Sequence, residues 1–415
     1  MKLLKTSFFS AIITVVRIAA GFVANKAVAV FTGATGVATI GQFTNFIAIA
    51  LTFANGAINN GVIKYTAEFD GDKDQLQKLF STSFKISLYC SFLIGAVLLI
   101  LSPYISNYLF SSEVYSMPIK VLGITIVLYS LNSLLISILN GKKQISSFTV
   151  INTAGSIIGL LFTVILVFYF KLQGAIYALV LAQSIVFFVT LAMILKSDWF
   201  QWSYFNQPFD RKVAVSLSHF SLMAIVTALT VPVSQIFLRN LIANKLGIDS
   251  AGYWQGMMRI SDGYLLLITT SLGTYYLPKL SSLLLDKDLK NEILNGYKII
   301  MPAVFVSCVI IYFMRFIIIR ILYVESFINM QSLFFYQLLG DFFKIAAWLL
   351  GYLLVAKSMT KIYVITEIGF SVCYVVIGYF CIRSFGLVGI TIAFAVSYFM
   401  YFLLMLMIFR KTLFN

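Results

Sequence analysis

Apolar runs of about twenty residues recur along the whole chain, each followed by a short polar stretch. A helix needs about twenty apolar residues to cross the ~30 Å hydrocarbon core of a bilayer. The pattern therefore predicts an all-α integral membrane protein. Twelve spans are predicted, at 8–32, 40–59, 79–101, 119–140, 148–170, 175–195, 213–241, 253–280, 299–322, 333–356, 362–382 and 387–409. The first run follows Lys2 and Lys5, as a signal peptide would, but it continues to Thr32 without a small-residue cleavage site and reads as a membrane helix. Pro232 and Pro302 fall inside spans and mark places where those helices can bend. The connecting segments leave no room for an extramembrane domain.

The loops carry orientation and symmetry. With the N-terminus cytoplasmic and cations near span ends counted with the nearer side, nineteen Lys and Arg fall on the cytoplasmic side and seven on the other, with four inside spans. That asymmetry predicts cytoplasmic location of both termini. The triplet Asp72-Lys73-Asp74 follows the second span and Asp286-Lys287-Asp288 follows the eighth, 214 residues later. The chain then reads as two six-helix lobes of the same orientation, related by a pseudo-two-fold axis along the membrane normal. The expected division is an N-terminal lobe at 1–196, an aromatic linker at the cytoplasmic interface at 197–212, and a C-terminal lobe at 213–415.

Composition agrees with a membrane protein. Of 415 residues, 60% are hydrophobic and 11% charged, where soluble domains carry about 25% charged residues. The net charge of +15 is accounted for by loop lysines and arginines, so nucleic acid is not an expected partner. Cys90, Cys308, Cys373 and Cys381 lie in apolar segments and read as packing residues. Cys373 and Cys381 would stand about 12 Å apart on one helix, too far for a disulfide. One histidine, His219, excludes a histidine-rich metal site and has no evident nucleophile beside it. No P-loop is present, so no cofactor is expected beyond a proton or sodium gradient.

Ionisable residues inside predicted spans are costly and mark candidate sites. Arg259 and Asp262 are spaced i, i+3 and can pair on one face. They either glue two helices or line a wet path. Asp341 and Lys344 in Gly340-Asp-Phe-Phe-Lys344 repeat that spacing. Arg17 lies near the middle of the first span, with Asn25 close to its face. Lys26 lies on the opposite face and nearer the end, where it can line the cavity or snorkel. Glu367 has no cation on its own turn. Desolvation disfavours a charged carboxylate, which suits an ion-coupling group, and a bond to Lys361 or Lys357 is the plain alternative. The stretch from Asn55 through Asn60 to Lys64 ends the second span. It can bind sugar hydroxyls or simply terminate the helix.

Several stretches together resemble a known family. They are Asn60-Gly-Val-Ile-Lys-Tyr65, Trp254-Gln-Gly256 with Ile260-Ser-Asp-Gly-Tyr264, Tyr276-Leu-Pro-Lys-Leu-Ser281, Gly340-Asp-Phe-Phe-Lys344, and Gly351-Tyr-Leu-Leu-Val-Ala-Lys357 followed by Glu367. They spread over most of the chain. Arg259 falls between the matching positions. The chain resembles the Wzx-type flippases of the multidrug/oligosaccharidyl-lipid/polysaccharide exporter superfamily, in the lipid III flippase and O-antigen translocase branch. The resemblance implies a MATE-like, V-shaped pair of six-helix bundles around a cationic cavity, in a bacterial inner membrane. It implies that undecaprenyl-pyrophosphate-linked oligosaccharide moves from the cytoplasmic to the periplasmic leaflet by alternating access. A polysaccharide polymerase and a chain-length regulator are the implied pathway partners. Arginine and lysine on cavity walls would replace the hydration of the pyrophosphate with charge-assisted hydrogen bonds.

Two other readings stay open at this point. A drug or cation exporter of the same fold would favour an acidic, aromatic cavity. A membrane polymerase would need a sizeable outer loop with catalytic groups, and the longest ones here carry only Glu113, Asp249 or Glu325.

Overall fold

The computed structural model describes the backbone of residues 2–197, 199–272, 276–283, 285–357 and 359–414; the side chains of 2–13, 145, 219–220, 271, 277–278, 282, 286 and 414 lie outside the described set. His219, Lys2, Lys5 and Asp286 are among the latter. No strand occurs among the described residues. The long helices are α1 (Lys2–Ala54), α3 (Lys73–Phe110), α4 (Ser116–Gly141), α5 (Ile145–Leu195), α6 (Arg211–Leu246), α7 (Ile248–Ser271), α9 (Asp286–Leu322), α10 (Phe334–Ala356) and α11 (Thr360–Ile408). Short helices α2 (Asn59–Glu68), α8 (Leu277–Ser282) and α12 (Arg410–Phe414) sit between or after them.

Among the described residues, eight helices are long and apolar enough to cross a membrane. Three of these, α1, α5 and α11, contain a non-helical residue at Gly33, Lys171 and Gly386, so each is two spans joined by a corner. The 24-residue α7, which carries Asp249, Arg259 and Asp262, completes the twelve spans among the described residues. It runs from Ile248 to Ser271, earlier than the 253–280 expected, because Gly247 in a left-handed conformation turns the chain just before it.

The corners repeat. Gly33 (φ 64°) and Gly247 (φ 88°) stand 214 positions apart, and Lys171 (φ 50°) and Gly386 (φ 60°) stand 215 apart. Three residues after each of the latter comes a glycine that only fits bare. A Cβ on Gly174 would meet the Leu166 carbonyl at 1.9 Å, and one on Gly389 would meet the Cys381 carbonyl at 2.0 Å. These turns fold two apolar spans back on each other with the backbones in close approach. Lys171 holds a left-handed conformation at a cost of about 1–2 kcal/mol, where its equivalent is glycine.

Contacts divide the chain into two units, Met1–Phe31 with Thr39–Pro232, and Thr32–Ala38 with Val233–Asn415. In the first unit α3 and α4 cross at bare glycines: a Cβ on Gly95 would stand 2.6 Å from the Gly123 carbonyl, and one on Gly123 would stand 2.9 Å from the Gly95 carbonyl. Small residues at such crossings let membrane helices pack closely. Around them Phe43, Ile47, Leu98, Leu122, Ile126 and Val180 form one apolar core. Residues 201–210 are strapped to α3. Ser81 donates to the Phe205 and Gln207 carbonyls, Lys85 donates to the Gln207 carbonyl, and Phe80 packs on Tyr204 and Phe205.

In the second unit, Thr35 Oγ1 donates to Asp249 at 2.9 Å. A Cβ on Gly252 would meet the Ala34 carbonyl at 2.1 Å. Helices α10 and α11 meet where Gly340 lies under Phe394. Helices α6 and α11 run side by side through a Ser234–Ser371 hydrogen bond and the contact of Leu238 with Gly378.

Candidate functional site: a buried carboxylate in the second unit

Asp341 is fully buried on α10. Its two oxygens accept Ser261 Oγ at 2.6 and 2.7 Å, and Oδ2 also accepts Tyr264 OH at 2.8 Å. Gln337 Nε2, one turn back on α10, reaches Oδ1 at 3.4 Å. The local order explains the convergence. Ser261 and Tyr264 are i, i+3 on α7, and Gln337 and Asp341 are i, i+4 on α10, so each pair shares one helical face. Buried charge is costly unless hydrogen-bonded, and three neutral donors from two helices offset part of that cost. An oxygen cage of this type, inside helices long enough to span a bilayer, can exchange a proton or hold a small cation.

Lys344 does not close an ion pair on Asp341. Ion pairs do form elsewhere, as between Lys64 and Glu68 at 3.7 Å and between Lys142 and Asp70 at 3.2 Å. Lys344 instead lies over the rings of Trp348 (5.0 Å) and Tyr398 (5.9 Å), while remaining close enough to act on Asp341 through space. The i, i+3 spacing allowed a pair, but the α7 hydroxyls take the carboxylate and the aromatic rings take the ammonium. Cation–π contact is a stable alternative for an ammonium out of water. Asp262 is exposed on α7 and also acts on Asp341 through space.

Tyr398 stands beside this cage, under the Lys344 ammonium. It is buried, packs on Phe370 (4.6 Å) and Phe394 (4.7 Å), and lies within electrostatic range of both Asp341 and Glu367. Glu367 is half-buried on α11 and also acts on Tyr401. A second polar group lies on α6. Arg239, counted by its sequence position with the outer-side cations, is buried inside the helix. Its guanidinium donates to Gln255 Oε1 and lies 5.5 Å from the Trp254 ring. Arg259, half-buried, and Tyr374 act on it through space.

The remaining candidates lie in the first unit. Arg17 is exposed on α1, and Lys26 is half-buried nine residues on. Asn25 is half-buried, with a buried Nδ2 that donates to no protein acceptor. Asn60 and Lys64 are exposed on α2. Lys64 lies over Tyr65 at 4.7 Å besides pairing with Glu68, and exposed pairs of this kind contribute little. Asn55 ends its helix: its Oδ1 accepts the Ala57 amide at 2.9 Å across a turn with positive φ at Gly56 and Ala57. Asn59, one residue before Asn60, is the inward asparagine, donating to Ser133 Oγ at 2.7 Å.

The residues that sequence reasoning missed are Ser261, Tyr264, Gln337, Tyr398 and Arg239. Ser261 and Tyr264 stand in the same Ile260-Ser-Asp-Gly-Tyr264 stretch as Asp262. Charge drew attention to Asp262, while the i, i+3 pair of hydroxyls faces the interior.

Residues 36–332 match the sequence profile of a family described as polysaccharide biosynthesis protein. The chain is similar to the lipid III flippase of Escherichia coli K12, 31% identical over 402 residues that cover 97% of both chains. It is 26% identical over 364 residues to a Shigella flexneri protein named for O-antigen transport, covering 84% of this chain and 85% of that one. Its fold is similar to the inward-facing conformation of a multidrug resistance MATE family transporter of the MOP superfamily. The TM-score is 0.79 at 16% identity, over 96% of this chain and 98% of that one.

Proposed function

Because this chain belongs to the polysaccharide biosynthesis protein family, we propose that it is a lipid-linked oligosaccharide flippase, a transporter and not an enzyme. It moves undecaprenyl-pyrophosphate-linked repeat units from the cytoplasmic to the periplasmic leaflet by alternating access. The observation that carries this reading is the end-to-end match to a lipid III flippase. Likeness to a multidrug transporter speaks only for the fold.

The chemistry asked of the chain is plain. A pyrophosphate carries at least two charges, and charge in the bilayer interior is expensive. Arg17 and Lys26 are the groups we assign to it in the first unit, with Asn25 offering a buried amide donor. Arginine suits this task because its planar fork meets phosphate oxygens in pairs. Asn60, Lys64, Arg259 and Asp262 stay assigned to the substrate path. Asp341, held by Ser261 and Tyr264, and Glu367 are assigned to coupling with a proton or sodium gradient. A cage of neutral donors can release or accept a cation without breaking an ion pair. The location is the bacterial inner membrane, with both termini cytoplasmic. A polymerase that consumes the product on the far side and a chain-length regulator of the same pathway are its assigned partners.

The test is reconstitution. Proteoliposomes carrying the purified chain and a fluorescent undecaprenyl-pyrophosphoryl sugar are treated with an impermeant quencher. Time-dependent loss of protected signal that protein-free vesicles do not show supports the flippase. Equal rates with and without protein reject it.

A further inference from the structure

Two cations converge on one tyrosine at the end of the second unit where α6 stops and α11 turns its corner. Lys245, in the last turn of α6, lies 5.6 Å from the Tyr379 ring centroid, and Arg383 lies 5.0 Å from the same ring. Arg383 is one helical turn beyond Tyr379 on α11, three residues before the Gly386 corner. Lys245 comes across from α6. The two helices run side by side in the same direction, fixed by the Ser234–Ser371 bond and the Leu238–Gly378 contact, so their ends arrive together.

Neither cation joins an ion pair among the described residues, and neither donates a hydrogen bond to a protein acceptor there. Both are exposed. Arg315 shows how an ordinary cation near a span end behaves: it donates to the Tyr312 carbonyl at 2.7 Å and lies over two rings of its own helix. Lys245 and Arg383 come from different helices, repel one another, and leave their N–H donors unused. An ammonium has three such donors and a guanidinium five. Two like charges gathered at one ring call for an anion that several donors can share. Exposed apolar side chains flank them, at Leu246, Phe380 and Phe385.

We propose that Lys245, Arg383 and Tyr379 form a binding site for the phosphate of an anionic lipid at the membrane–water interface. The two cations take the phosphate oxygens, and the exposed phenylalanines lie beside the acyl or prenyl chain. The site stands apart from the Asp341 cage and does not rest on the transport reading. A bilayer glycerophospholipid and a polyprenyl phosphate offer the same group, and the experiment separates them.

Native mass spectrometry of the full chain would measure adducts with dioleoyl phosphatidylglycerol and, separately, with undecaprenyl phosphate. Removing both cations in K245A/R383A should weaken binding of the lipid that the site takes by roughly 25-fold, the share of two basic residues at an anionic lipid surface. The charge-preserving K245R/R383K should keep it. Loss confined to phosphatidylglycerol identifies a bilayer lipid, loss confined to undecaprenyl phosphate identifies the carrier, and loss of both identifies a site that reads phosphate alone. Thermal unfolding of the same samples checks that the variants are folded. Unchanged adducts of both lipids in folded K245A/R383A would overturn the proposal, as would equal loss in K245R/R383K.

Discussion

Thr35 and Asp249 are joined by a 2.9 Å hydrogen bond across 214 residues of chain. The same separation relates Gly33 to Gly247 and the triplet at Asp72 to the triplet at Asp286. The bond therefore joins equivalent positions of the two halves, each two residues past its corner glycine. The internal repeat is thus written three times, in loop charges, in backbone conformation and in a contact. Gly252 pressed against Ala34 leaves no room for a side chain there. Gly252→Ala should separate Thr35 from Asp249 and lower the thermal midpoint. Overpacking costs about 1–3 kcal/mol, and Thr35→Ala alone should cost less, about 1 kcal/mol. Differential scanning fluorimetry in detergent distinguishes the two.

Asp341 takes hydrogen bonds from Ser261 and Tyr264 of α7 and none from Lys344. Ser261→Ala with Tyr264→Phe should therefore impair flipping nearly as much as Asp341→Asn. Each lost donor leaves a buried acceptor short by about 1–3 kcal/mol. The swap Asp341→Lys with Lys344→Asp should stay inactive, since it breaks the hydroxyl cage and puts a carboxylate among aromatic rings. Recovery of transport by the swap, at normal protein level, would show an ion pair to be the working unit.

Arg17→Ala should abolish transport with little change in protein level, because the side chain is exposed in the structure and supports no core packing. Arg17→Lys should retain part of the rate, keeping charge but losing the two-pronged donor. Full activity of the alanine variant removes Arg17 from the pyrophosphate path.

Glu367→Gln should uncouple transport from an imposed gradient without unfolding the chain. Everted vesicles with and without a proton gradient supply the measurement. A Gln variant that follows the gradient as the wild type does assigns coupling elsewhere, with Asp341 the next group to test.

The corners at Gly33, Lys171, Gly247 and Gly386 were not legible in the sequence, whereas the spans and the two-half repeat were, because they follow from hydropathy and loop charge. Helix ends were less so: the second span stops at Ala54, where an asparagine side chain caps the turn, and hydropathy does not register a side-chain–backbone bond. The candidate site was half legible. Charge picked out Asp341 and Lys344, and their spacing suggested a pair. What decides their partners is the rotation of α7 against α10, which places two neutral hydroxyls nearer than the lysine. Nothing in a hydropathy profile marks Ser261 or Tyr398, because serine and tyrosine are common in membrane helices. Arg239 escaped for the opposite reason. It lies eight residues before Gly247, close enough to the corner to pass for a loop cation.

That buried Arg239 also bears on how the protein is made. An arginine inside a membrane helix raises the free energy of insertion, by about 2.5–3.5 kcal/mol at the helix centre and by less towards an end, where Arg239 lies. The acceptor Gln255 and the ring of Trp254 belong to α7, and Gln255 is synthesised 16 residues later. Helix α6 then has reason to wait at the translocon for α7 and to enter lipid with it as a hairpin about the Gly247 corner. Translation of one helix would set the moment at which its predecessor is released.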